Sequence, residues 1–315
     1  GEYTDENGTT RFYDNETDNY RQNLIQLIWS RSISNSLSFH SALHYTRGEG
    51  FYEEYREDQA FSKYGLQPVL ISQAEQTTTD LIRRKWMKND FYGVVYSVNY
   101  KKKRIEAVVG GGMNNYLGDH FGRLQWMQYN AGTEKDHQWY FNDAVKGEYS
   151  IYGKVSYKLN EKLTGFGDLQ YRHITYKMNG YDDDFKDITQ SHSFDFLNPK
   201  AGIFMSVTPS QDAYLSFSVA HREPTRANFK DAAGDPSATP RHETLYDMEA
   251  GYLLKANRLK LGLNAFYMFY RDQLVPTGEL SDVGYPIMTN VGKSYRRGIE
   301  ITMDLKPLAA VSWNV

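Results

Sequence analysis

Hydrophobic and polar residues alternate with a period of two along most of the chain, and helical spacing of apolar residues is hard to find over any long window. In the stretch 37–45, for example, Leu37, Phe39 and Leu43 share one face while serine and histidine occupy the other. About twelve stretches of this kind predict β-strands over residues 20–31, 37–45, 91–100, 104–113, 147–158, 163–176, 198–208, 213–222, 244–254, 259–270, 288–305 and 311–315. The pattern therefore predicts an all-β protein.

The connections between these strands alternate strictly between short and long. Short connections contain a few residues, whereas the long ones cover residues 48–90, 114–146, 177–197, 223–243 and 272–287. Short periplasmic turns and long extracellular loops are typical of bacterial outer-membrane barrels. Many predicted strands also carry an aromatic residue near one end, as membrane-interface girdles require, namely Trp29, Tyr45, Tyr100, Tyr157, Tyr171 and Phe269. These features favour a transmembrane antiparallel β-barrel over the alternative, a soluble β-sandwich.

The amino-acid composition excludes several other classes of protein. No apolar run approaches the roughly 20 residues that a membrane-spanning helix needs. The chain contains no cysteine, which excludes thiolate metal sites and cysteine nucleophiles. Its formal net charge of -3 provides no electrostatic field that attracts nucleic acid. The mean hydropathy of -0.67 is compatible with a barrel, because only alternate strand residues meet lipid.

Four motifs occur in a fixed order in the last third of the chain. Residues 221–226 read HREPTR, 246–252 read YDMEAGY, 264–272 read NAFYMFYRD, and 290–300 read NVGKSYRRGIE. Each motif is weak by itself, but the set and its order resemble the barrel of TonB-dependent outer-membrane receptors of Gram-negative bacteria.

The resemblance implies a barrel of about 22 strands that surrounds a plug. Because about twelve strands are predicted and no plug is recognised, we expect residues 1–315 to form one partial β-barrel domain that is truncated at both ends. A complete twelve-stranded barrel is the alternative. Contacts between the neighbourhoods of Ile25 and Trp313 would favour closure.

The resemblance also implies a function. We expect an active-transport receptor for an iron complex such as a ferric siderophore, energised by the TonB complex through the missing N-terminal part and surrounded by outer-membrane lipid. Haem, cobalamin or a glycan are alternative ligands. We expect no cofactor and no nucleic-acid partner. The alternatives to a receptor are a passive porin and a barrel phospholipase or protease, for which Asp119-His120 and Asp136-His137 are the local candidates.

Candidate site residues lie in the long loops and on the lumen side of the last strands. For ligand binding we single out two arginines and three loop aromatics, namely Arg222, Arg226, Trp126, Trp139 and Tyr140. Plug or loop anchoring is the favoured interpretation of the arginine segment, and loop packing explains each aromatic equally well. For plug or lumen contacts we single out Asp247, Glu249 and Glu300, although a solvated polar wall is the favoured interpretation of these charges. We expect no catalytic residue.

No metal site is expected either. The acidic loop tip with Asp182, Asp183 and Asp184 lacks the spacing of a calcium loop, so we interpret it as a solvated charge run. The pairs His40/His44 and His120/His137 offer too few ligands.

Overall fold

The computed structural model describes residues 2–5, 7–16, 18–130, 132–280, 284–308 and 311–314, and it confirms the all-β fold class. Twelve strands form one antiparallel sheet, in which each strand pairs only with its neighbours in the chain. In chain order they are β1 Asp18–Ser34, β2 Leu37–Ala60, β3 Thr78–Lys102, β4 Ile105–Met127, β5 Gln138–Lys158, β6 Leu163–Gly180, β7 Gln190–Thr208, β8 Gln211–Arg222, β9 Glu243–Lys255, β10 Leu259–Leu280, β11 Pro286–Leu308 and β12 Val311–Asn314.

The sheet is not closed in the part of the chain that is described. Strands β1 and β12 occupy its opposite edges and do not pair with each other. Ile25 pairs with Tyr45, and Trp313 pairs with Leu305, so each neighbourhood contacts only the adjacent strand. The structure is a partial barrel.

One face of the sheet carries an apolar band that continues from strand to strand. Directly paired residues in an antiparallel ladder share a face. The ladder Leu43–Val94–Met113–Tyr149 crosses β2 to β5 on this outer face. Farther along the sheet, Ile203 and Leu215 are paired on the same face, and both are exposed. Such a continuous exposed apolar surface is the lipid-facing band of a transmembrane barrel.

The strands extend beyond this band at the end opposite the short turns. Strand β2 runs to Ala60, and β3 starts at Thr78, so most of the predicted loop 48–90 is strand. The predicted loop 114–146 is wrong in the same way, because β4 runs to Met127 and β5 starts at Gln138. Above the membrane neither face meets lipid, and the apolar alternation that signals a strand is lost although pairing continues.

The remaining extracellular connections contain short elements. These are the 3-10 helices Phe61–Tyr64 and Pro236–Ala238, the hairpin of Val69–Ile71 with Ala74–Gln76, and helix α1, Arg226–Asp231. A second hairpin pairs Glu2–Thr4 with Thr10–Phe12. Helix α1 begins with a capping box between Thr225 and Asn228. None of the helices in the described residues is long and apolar enough to cross a membrane.

Two glycines of the family-like motifs have a packing reason. The ring of Tyr214 lies across the backbone of Gly251 in the neighbouring strand, where a Cβ atom would collide with it. Gly298 makes the same arrangement with Phe266, whose ring lies 2.8 Å from the position of a Cβ atom. An aromatic side chain that covers a strand glycine protects the ladder that glycine weakens.

Buried side chains concentrate at the extracellular end, on the inner face. One cluster contains Tyr64, Leu81, Leu124, Trp139 and Tyr140, and a second contains Ala144, Tyr176, Met178 and Phe229. The strand ends and loops therefore form a packed cap above the lipid-facing band. This cap contains the candidate site.

Candidate ligand-binding site

A cavity of about 1400 Å³ opens on the inner face at the extracellular end of the sheet. Its lining comes from the extended parts of β2 to β5 and from loops 181–189 and 223–242, and includes Tyr52, Arg83, Lys85, His120, Tyr140 and Arg226. The strand pairings Tyr52–Lys85 and Gly122–Tyr140 align these side chains on one face. The volume and the mixed polar and aromatic lining suit a small-molecule ligand.

Two ion pairs fasten the loops around this cavity, and we call them the loop clasp: Lys85 with Asp183, and Lys230 with Asp182 at 2.8 Å. They join loop 181–189 to strand β3 and to helix α1. The predicted solvated charge run is therefore wrong for these carboxylates. Oxygens of Asp182, Asp183 and Asp184 lie within 4.8 Å of one another, but the lysines neutralise two of the three charges.

Arg226, the first residue of helix α1, carries a positive charge that no carboxylate in the described residues balances within 4.0 Å. Its Nη2 donates a hydrogen bond to Asn142 Oδ1 at 2.5 Å, and its buried Nε finds no acceptor in the part of the chain that the structure describes. A buried donor without a partner costs about 1 to 3 kcal/mol. An anionic or oxygen-rich group in the cavity would relieve this deficit.

Two groups that line the cavity with Arg226, the side chains of His120 and Tyr140, are neutral. Burial, reinforced by the positive charges of Arg226 and Lys230, lowers the pKa of His120 to about 4. Burial also raises the pKa of the Tyr140 phenol, so its hydroxyl stays protonated at neutral pH. Around Arg226 the cavity wall thus supplies neutral hydrogen-bonding groups and aromatic rings.

The whole described sheet matches one known family. Residues 2–315 match the model of the TonB dependent receptor-like beta-barrel. The chain belongs to this family. Its members are outer-membrane proteins, which places this receptor barrel in the outer membrane. No curated protein matches the sequence.

Solved structures share the fold at low sequence identity. The copper transporter OprC is 12% identical with a TM-score of 0.69 over 94% of this chain and 46% of its own. The ferric yersiniabactin uptake receptor FyuA from Yersinia pestis is 11% identical, with a TM-score of 0.61 over 99% of this chain and 45% of its own. The siderophore receptor PiuA from Acinetobacter baumannii is 12% identical, with a TM-score of 0.62 over 95% and 46%. This chain thus spans less than half the length of these relatives.

Family membership decides against the barrel enzyme, because TonB-dependent receptors are transporters. The positions of the two candidate Asp-His pairs also argue against an enzyme. Asp119 and His120 are consecutive in β4 and point to opposite faces of the sheet, so they do not converge on one substrate atom. His137 Nε2 lies 3.2 Å from the carbonyl oxygen of Tyr64, and Asp136 bonds Gln125.

The candidate ligand-binding residues fall into two groups in the receptor barrel. Arg226 and Tyr140 line the cavity. Trp139 is buried, with its ring 5.2 Å from that of Tyr64, and Trp126 is exposed in β4 opposite Ile82. Arg222 is exposed and pairs with Glu243 at 3.0 Å. The structure therefore brings two of the five together.

The three candidate lumen carboxylates lie on the inner face. Asp247 is paired with Ser218, and Glu249 with Ser216, in the ladder between β8 and β9. Glu300 accepts a hydrogen bond from Asn264 at 3.2 Å, whereas the buried Oδ1 of Asp247 has no partner in the described residues. These acidic groups face the space that the barrel encloses.

The sequence does not single out Tyr52, Lys85 or Lys230 as site residues. Tyr52 and Lys85 lie in the segment assigned to a loop, where alternation was not used to choose a face. Extending the alternation of β2 past the membrane places Tyr52 on the inner face, because it lies an odd number of positions from the outward-facing Leu43. Lys85 shares that face because it is paired with Tyr52.

Acid should open the loop clasp. Burial raises the pKa of the Asp183 carboxyl. The hydrogen bond from Lys85 and its positive charge outweigh burial and hold this pKa below its ordinary value of 3.8. A depressed carboxyl pKa stabilises the folded loop above the ordinary pKa, and that stabilisation is lost as the pH falls through the folded pKa. We expect a spin label at Phe185→Cys, unique because the chain has Cys 0, to be immobile at neutral pH and to gain mobility only well below pH 3.8.

The control for the acid experiment is Asp183→Asn in the same labelled background. This variant should show a mobile label at neutral pH and little further change in acid. A label whose mobility changes near pH 6, or does not respond to acid at all, would contradict the clasp.

Proposed function

We propose that the receptor containing this chain takes up an iron complex such as a ferric siderophore across the outer membrane, with energy delivered by TonB. The observation that carries the proposal is Arg226, an unbalanced cation in the wall of a cavity of about 1400 Å³ at the extracellular end. Family membership and the siderophore receptors among the structural neighbours support the same cargo class.

The chemistry of the cavity favours an anionic, oxygen-rich complex. Arg226 supplies charge, while Tyr52 and Tyr140 supply phenol hydroxyls and rings that stack on flat ligand groups. Most other charges at the wall are already engaged, as Arg83 is with Glu54 at 2.6 Å. We therefore expect Arg226 to contribute most of the favourable electrostatic energy when an anionic ligand binds.

We further propose that residues 1–315 form one partial barrel domain, and that a plug and the TonB contact belong to other parts of the receptor. Asp247, Glu249 and Glu300 line the inner face, where a plug would meet them. The unpartnered Oδ1 of Asp247 is the best-placed acceptor for a plug donor.

The experiment is uptake of radio-iron by cells that produce the intact receptor, with Fe³⁺ chelated by a catecholate, a hydroxamate or citrate. We expect uptake of at least one chelate, abolished in cells without TonB. Arg226→Ala should raise the concentration for half-maximal uptake by at least tenfold, since charged hydrogen bonds contribute about 1.5 to 3 kcal/mol.

The matched control is Arg241→Ala, in the same loop but paired with Asp272 at 2.7 Å and absent from the cavity wall. It should leave uptake unchanged. Uptake that persists without TonB would identify a passive porin, and absence of uptake for every chelate would exclude the iron-complex cargo.

A further inference from the structure

We propose that His221 and His242 form a transition-metal site beside Phe196, separate from the cavity described above. The two imidazole rings lie side by side, with centroids 5.9 Å apart and an interplanar angle of 55°. The proposed ligand is a divalent first-row ion that prefers imidazole, with Cu²⁺ the strongest candidate. This inference does not depend on the proposed uptake of an iron complex.

The separation of the rings suits one shared ion. A metal held about 2.0 to 2.1 Å from one nitrogen of each of two imidazoles places the ring centroids roughly 5 to 6 Å apart. The observed 5.9 Å lies within that range. Among the described residues, no other two histidine rings contact each other.

Both rings rest on a rigid support. His221 stacks on Phe196 with an interplanar angle of 5°, and His242 meets the same phenylalanine at a centroid distance of 5.3 Å. Phe196 is buried and is paired with Arg172 in the ladder between β6 and β7, which places its side chain on the inner face. Ligands on a fixed platform lose little conformational entropy when they bind an ion.

Hydrogen bonding leaves His221 ready to bind. Its Nδ1 lies 2.8 Å from Asn198 Oδ1, and because a carbonyl oxygen accepts, Nδ1 carries the proton and Nε2 keeps its lone pair. Metal-binding histidines commonly hold their second nitrogen in this way. His242 is exposed and, in the described part of the chain, has no hydrogen-bond partner, so its lone pair is free as well.

The charge near the pair does not prevent cation binding. One nearby cation is Arg172, whose guanidinium lies 5.9 Å from the Phe196 ring centroid. Two others, Arg222 and Arg241, are the chain neighbours of the histidines and are paired with Glu243 at 3.0 Å and Asp272 at 2.7 Å. Arg172 is bonded to Glu148 at 2.8 Å and lies 3.5 Å from Glu223. These two carboxylates offset its charge. Water or a cargo ligand would complete the coordination, since two imidazoles fill only part of it.

The test is titration of the intact receptor, purified in detergent, with Cu²⁺ alone, followed by electron paramagnetic resonance. We expect one bound Cu²⁺ whose spectrum shows coupling to two nitrogens. His221→Ala and His242→Ala should each weaken binding at least tenfold, and the double variant should be little worse than either. Asn198→Leu should weaken binding about 10- to 100-fold while both histidines remain.

His44→Ala is the matched control. His44 is also a histidine whose ring lies on a phenylalanine, 4.7 Å from Phe91, but it has no second imidazole beside it. Its loss should leave Cu²⁺ binding unchanged. Wild-type protein with one nitrogen or none on the copper, or single variants that bind as wild type does, would show that His221 and His242 are only a packing pair.

Discussion

Replacing Leu215 with arginine is expected to destabilise the inserted barrel by about 2 to 4 kcal/mol, or roughly 30- to 700-fold in the folding equilibrium. Leu215 lies on the outer face of β8, opposite Ile203 and Ala250, and is 48% exposed in the isolated chain. In the membrane this exposed surface meets hydrocarbon, where a guanidinium cannot keep its water. Urea unfolding of the intact receptor in phospholipid vesicles measures the effect.

The neighbouring residue provides the control. Ser216 follows Leu215 in the same strand, faces inward, and is paired with Gly202 and Glu249. Ser216→Arg places the same charge beside a carboxylate and in the lumen, so we expect little loss of stability. Equal destabilisation by both variants would contradict the assignment of the two faces.

The lipid-facing part of the fold is the part that the sequence predicts well. Each strand that crosses the apolar band was found from alternation alone, because lipid on one side and lumen on the other impose opposite polarity on successive residues. The resemblance to the receptor family also includes the motif glycines, Gly251 and Gly298. Their role became clear only when Tyr214 was seen to lie across Gly251.

The extracellular cap is the part that the sequence predicts poorly. Its defining contacts join residues far apart in the chain, such as Lys85 and Asp183, which are 98 positions apart. No local pattern reports such a pair, since its formation depends on how high β3 extends and where the loop after β6 folds back. The sequence therefore predicts a solvated acidic loop, whereas the structure pairs Asp182 with Lys230 and Asp183 with Lys85.

The lack of a local signal for long-range contacts also explains why only some of the predicted site residues line the cavity. Arg226 and Tyr140 were chosen as a loop arginine and a loop aromatic, and both line the cavity. Trp139 belongs to the same class of residue but is buried against Tyr64, because its ring lies over Gly122. Residue type selects candidates, whereas register and strand length decide which of them reach the cavity.

Helix α1 connects the stability of the cap to the site, and its anchor is Phe229. This side chain is 1% exposed, stacks on His192 at 3.9 Å, and contacts Tyr176 and Met178 on the inner face. Removing a buried phenylalanine ring costs about 3 to 5 kcal/mol. Because the sheet is held by its own ladders, we expect Phe229→Ala to release the helix while the barrel remains folded.

Hydrogen exchange of the intact receptor measures this release. Amides of loop 223–242 should lose protection by roughly two to three orders of magnitude in Phe229→Ala, while strand amides keep theirs. Phe185→Ala is the control, because Phe185 is a 41% exposed phenylalanine in the neighbouring loop. Since α1 carries Arg226, affinity for the proposed iron-complex ligand should fall together with protection in Phe229→Ala. Unchanged protection of the loop would show that Phe229 does not hold the helix in place.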